Sequence, residues 1–89
     1  MKTLPGFKMR RLGAEFIVTA EGLNQVNFNK MISLNSSAAY LWESVAGKDF
    51  TVEDLAALLV ERYGIDNELA LHDSAVIADK WVEAGIAEK

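Results

Sequence analysis

One stretch constrains this chain more than any other. It is Lys30–Val45, KMISLNSSAAYLWESV, and its hydrophobic period changes part-way along. Ile32 and Leu34 alternate with Ser33, the period of two of a half-covered strand. Asn35, Ser36 and Ser37 are N-cap residues by type. Beyond them Ala38, Leu41, Trp42 and Val45 recur at spacings of three and four, the stripe of a helix pressed on a core. A short strand therefore runs almost directly into a helix. The chain upstream of this junction reads as β-structure, and the chain downstream of it as helical.

The upstream half supports this division. Phe7–Leu12 and Glu15–Ala20 form a hairpin around Gly13-Ala14, with glycine at the first loop position as a type II′ turn requires. In that register Phe7, Met9 and Arg11 face Ala20, Val18 and Phe16, while Lys8, Arg10, Ile17 and Thr19 take the other face. Glu21–Gln25 is turn-like. Val26–Phe28 is a separate strand or an extended lead-in, and its pattern does not choose between them. The sum is three short antiparallel strands.

Three helices complete the chain. Gly47 closes the first, and Thr51 with Asp54 approximates a capping box for the second. The second buries Leu55, Leu58, Leu59 and Tyr63 and stops at Gly64. The third runs from about Glu68 to Ala84, with Gly85 as its stop and Ile86-Ala87 as a tail. Its apolar surface has two arcs. Ala70, Ser74, Ile77, Trp81 and Ala84 form one, and Leu71, Ala75, Ala78 and Val82 widen it to roughly half the circumference, beyond the ~100° that packing alone requires. Either both arcs are buried or the second walls a groove filled by another chain. The expected fold class is α+β and winged-helix-like: a three-stranded antiparallel sheet (about 7–34), then a three-helix bundle (about 36–85), as one domain over 1–89.

Composition removes several functions. Half of the 89 residues are apolar and a quarter charged, which describes a globular domain with a core only just large enough to fold alone. No apolar run reaches membrane-span length, and Met1–Gly13 lacks a signal-peptide apolar region. Cysteine is absent, which excludes disulfides and thiolate chemistry and points to the cytoplasm. Net charge is −4 but unevenly spread. Residues 1–35 hold five Lys and Arg against two Glu, a balance of +3; residues 36–89 hold four against eleven, a balance of −7. The sheet half is basic and the helical half acidic, which is either an uneven solvated surface or two differently charged faces for partners.

Little here can carry out chemistry. His72 is the one histidine, on the polar side of the third helix, and the carboxylates Asp66, Glu68, Asp73 and Asp79 lack calcium-loop spacing. Phosphate loops, zinc spacings and nucleophile elbows do not occur. The chain reads as no enzyme, with no cofactor and no metal. Asp73-Ser74 matches the pair to which acyl carriers attach their arm, but those carriers are all-helical and place that serine at the start of a central helix. Nucleic acid is expected to be excluded, because the third helix sets Lys80 against Glu68, Asp73, Asp79 and Glu83, where a DNA reader needs cations.

Leu34-Asn35, Ser37-Ala38, Leu41-Trp42, Gly47, Thr51-Val52, Leu55, Leu59 and Tyr63, then Asp73, Trp81 and Gly85, together resemble the PqqD family, from about Phe7 to Glu88. The resemblance implies a precursor-peptide recognition element: three strands, three helices, and a leader peptide added as a strand beside the third strand, in a cleft closed by the third helix. It implies a modifying enzyme as second partner, in the founding case a radical S-adenosylmethionine enzyme. Carried to this sequence, it puts Lys30, Met31, Ile32, Ser33 and Leu34 on the peptide-binding edge. The facing wall of the third helix then consists of Leu71, Ala75, Ala78 and Val82. The family's Pro-Glu after the second strand and Asp-Gly at the end of the first helix are here Ala20-Glu21-Gly22 and Ala46-Gly47, which favours a divergent relative serving another peptide or some other partner. Against this adaptor stand two readings of other classes: a winged-helix nucleic-acid-binding regulator, and a structural module in which the open edge pairs with a second copy as a homodimer.

Overall fold

A computed structural model describes residues 1–20 and 32–89. In chain order the elements are β1 (Lys2–Thr3), β2 (Phe7–Leu12), β3 (Glu15–Ala20), β4 (Ile32–Leu34), α1 (Ser36–Val45), α2 (Val52–Tyr63), α3 (Asn67–Glu83) and β5 (Ala87–Glu88). The β2-β3-β4 strands form an antiparallel sheet ahead of three helices, the α+β architecture expected. Val26–Phe28, Lys30 and Met31 lie outside the described residues.

The hairpin has the register that hydrophobic matching required: Phe7 opposite Ala20, Met9 opposite Val18 and Arg11 opposite Phe16. Gly13 alone in the turn takes a positive φ, 64°, as the first loop position of a type II′ turn does. Phe7, Met9, Phe16 and Ile32 pack from this face onto a core that includes Val18 and Leu34.

The strand-to-helix junction depends on one side chain. Asn35 has extended backbone, and its Oδ1 accepts from the Ala38 N–H at 2.8 Å, satisfying one of the donors a helix start leaves open. Ala38, Ala39, Leu41, Trp42 and Val45 are then buried. The second helix starts with a complete capping box, in which Thr51 Oγ1 accepts from the Asp54 N–H and Asp54 Oδ2 accepts from the Thr51 N–H. Its buried residues are Leu55, Ala56 and Leu59. Leu58 is half-buried, and Tyr63, expected inside, is 43% exposed. Its ring instead meets Tyr40 edge-on at 6.4 Å, beside the Arg62 guanidinium that lies 4.5 Å from the Tyr40 ring. A tyrosine in the last turn of a helix can keep its hydroxyl wet this way while part of its ring is covered.

The termini hold the one unexpected element. Instead of a loose tail, β5 pairs with β1 as a second, two-stranded sheet, Lys2 opposite Glu88 and Thr3 opposite Ala87. Met1 C=O accepts from the Phe50 N–H at 2.7 Å, and buried Thr3 Oγ1 accepts from the Gly47 N–H at 3.0 Å. The amino-terminal strand is thus clamped to the α1–α2 connection, and β5 is held through β1. Two-residue strands have no period to read, so sequence pattern passes over them.

Candidate functional site

The hydrogen-bonding directions of the sheet are set by its turn. In a two-residue hairpin the flanking pair, Leu12 and Glu15, exchanges both backbone hydrogen bonds, and along β3 the direction alternates thereafter. Glu15, Ile17 and Thr19 therefore address β2, while Phe16 and Val18 address β4. Phe16 is opposite Leu34, Ile17 opposite Ser33 and Val18 opposite Ile32. Leu34 and Ile32 consequently bond inward to β3. Ser33, between them, points its N–H and C=O the other way, and among the described residues no strand stands there to receive them.

That outward edge borders a cleft of about 250 Å³, lined by Ile32, Ser33, Leu34, Ala38, Ile77 and Trp81 together with Asn35, Lys80 and Ala84. One wall is the strand and the other is α3. Ile77, Lys80, Trp81 and Ala84 fall at i, i+3, i+4 and i+7, one face of that helix. Leu71, Ala75, Ala78 and Val82 are not among the lining residues. They centre about 140° further round the helix at 100° per residue. Ala78 is in the core at 0% exposure, and Leu71, Ala75 and Val82 are half-buried, Leu71 and Val82 against that core. The wider apolar arc is thus taken up by packing, and the cleft wall comes from the first arc.

A second cleft, about 570 Å³, continues along α3 toward its start. It shares Asn35, Ile77 and Lys80 with the first and adds Leu59, Tyr63, Ile65, Leu69, Asp73 and Val76, along with Ser37 and His72. Lys80 is the one cation among the described residues lining either cleft, His72 aside. Sequence reasoning did not place Lys80, Ile77 and Ala84 beside β4, because it assigned Ile77 and Ala84 to the core arc and counted Lys80 only as net charge.

Among the described residues no three His, Asp or Glu side chains are placed to hold a metal ion, and no helix is long and apolar enough to cross a membrane. Ser74, the acyl-carrier candidate, has 0% exposure, so its hydroxyl cannot be reached for attachment.

The model of the PqqD family, described as coenzyme PQQ synthesis protein D, matches residues 11–87. The chain belongs to the PqqD family. The matched span takes in β3, β4 and all three helices, hence both walls of the clefts. Searches of curated proteins and of solved structures return no match.

Proposed function

We propose that this PqqD-family chain is a non-catalytic adaptor that binds the leader of a ribosomally made precursor peptide and presents it to a modifying enzyme of the radical S-adenosylmethionine type. The supporting observation is the outward-facing N–H and C=O of Ser33 at an edge with no described neighbour, directly over a cleft with apolar walls. An extended peptide added there gains main-chain hydrogen bonds from Ser33, and its alternate side chains enter the cleft between Ile32, Leu34, Ile77 and Trp81. Lys30 and Met31, outside the described residues, belong to the proposed binding segment on the family resemblance alone. Family membership supports a role beside other proteins of coenzyme PQQ synthesis, and the departures at Ala20-Glu21-Gly22 and Ala46-Gly47 favour service to a different peptide.

The test is a titration of 15N-labelled protein with candidate precursor leaders, monitored by amide and methyl chemical shifts. Shifts centred on Ser33, Ile32, Ile77 and Ala84 are the expected result. Saturable binding with shifts confined to the β1–β5 side would place the peptide elsewhere and refute the site.

A further inference from the structure

The two clefts adjoin along α3, sharing Asn35, Ile77 and Lys80, and together they reach past the Leu34 end of β4. From Leu69 to Ala84 the helix axis advances about 22 Å at 1.5 Å per residue. An extended chain covers that distance in about seven residues, and the described strand residues Ile32–Leu34 match about 10 Å of it. The part of the groove beyond the strand also carries exposed apolar side chains. Four large apolar side chains are exposed among the described residues, and three of them, Tyr63 at 43%, Leu69 at 49% and Val76 at 40%, line the larger cleft. These three side chains give the larger cleft apolar surface that a guest can cover.

Lys80 sets a charge preference at one point of the cover. Lys80 belongs to both clefts, at their junction, and is exposed among Ile77, Val76 and Ala84. Asp73 lies two turns away, about 10 Å along the axis, within the larger cleft. A basic guest residue opposite Lys80 would be repelled in a surrounding that its neighbours help dry, and an acidic one would be attracted.

We infer that the guest is an extended segment of about seven residues, apolar at both ends, with an Asp or Glu at its centre set opposite Lys80. The inference rests on the adaptor reading and specifies which leaders the adaptor accepts. The first end occupies the cleft beside β4. The segment then passes Asn35, whose Oδ1 is already committed to the Ala38 N–H, and its second apolar end covers Leu69, Val76 and Tyr63.

Panning a random dodecapeptide display library on the 89-residue protein, and on its Lys80→Glu and Val76→Asp variants, tests this. Both positions are exposed, and circular dichroism verifies that the variants fold. Wild type should select a consensus of about seven positions with a central carboxylate between apolar ends. Lys80→Glu should keep the apolar ends but select Lys or Arg at the centre. It should also bind the wild-type-selected peptide about three- to tenfold more weakly, an attraction at an exposed position having become a repulsion. Val76→Asp should lose the apolar preference at one end only. An apolar consensus without an acidic centre, an unchanged consensus from Lys80→Glu, or a consensus only three or four positions long overturns the inference and leaves the adaptor standing. Failure of wild type to select any consensus overturns both.

Discussion

The indole of Trp42 in α1 meets the indole of Trp81 in α3 edge to face, with ring centroids 5.2 Å apart and planes at 88°. Phe50 adds a third ring, 6.0 Å from Trp81 and nearly perpendicular to it. Both tryptophans are buried, so the contact joins the first helix to the last through the middle of a small core. Trp81 also lines the cleft beside β4, so one side chain serves core and site. Replacing Trp81 with Ala should cost about 3–5 kcal/mol, a large share of what a domain of this size has. Urea unfolding monitored by far-ultraviolet circular dichroism measures it. A loss below about 1 kcal/mol would mean the aromatic cluster does not hold the helices together.

Proline at Ser33 separates edge from core. The Ser33 N–H faces outward, so Ser33→Pro should leave the urea midpoint nearly unchanged, while display-selected peptides bind about three- to tenfold more weakly for want of one hydrogen bond. Proline at Ile32 is the control. That N–H bonds inward toward Val18, and its loss should destabilise the domain by about 1–3 kcal/mol. If the two prolines behave the other way round, the hydrogen-bond phase deduced from the hairpin is reversed.

Ser74 carries a fully buried hydroxyl for which the structure provides no hydrogen-bond partner. Burying it unpaired costs free energy that alanine, nearly the same size, would not. Ser74→Ala should therefore stabilise the protein by about 1 kcal/mol, seen as a raised thermal midpoint in calorimetry. A lowered midpoint would show that the hydroxyl has a partner after all.

Thr3 holds the amino terminus by accepting from the Gly47 N–H. Thr3→Val keeps the shape and removes the acceptor, which should cost about 1–2 kcal/mol. Hydrogen exchange should quicken at Gly47 and at Leu4, whose N–H donates to Ile86 C=O across the terminal clamp. Unchanged protection at both amides would mean the clamp does not depend on this bond.

The elements that sequence alone determined are those whose signal is local. The hairpin register comes from matching Phe7, Met9, Val18 and Phe16 on one face, because a slip of either strand by one residue would carry its apolar pair to the opposite face. Asn35 and Thr51 start helices because their side chains bond backbone groups three residues away, a separation short enough to be written in the local order of residues. Family membership was legible in the same manner, from the order of such pieces between β3 and α3. Tertiary structure decided the rest. Which arc of α3 faces β4 depends on how two apolar surfaces of the same helix share one core, and helical periodicity identifies both arcs without ranking them. Ala78 therefore went inside, while Ile77, Lys80 and Ala84 came to line the cleft. The pairing of β1 with β5 brings together residues more than eighty positions apart, and two-residue strands carry no periodicity that could announce the meeting.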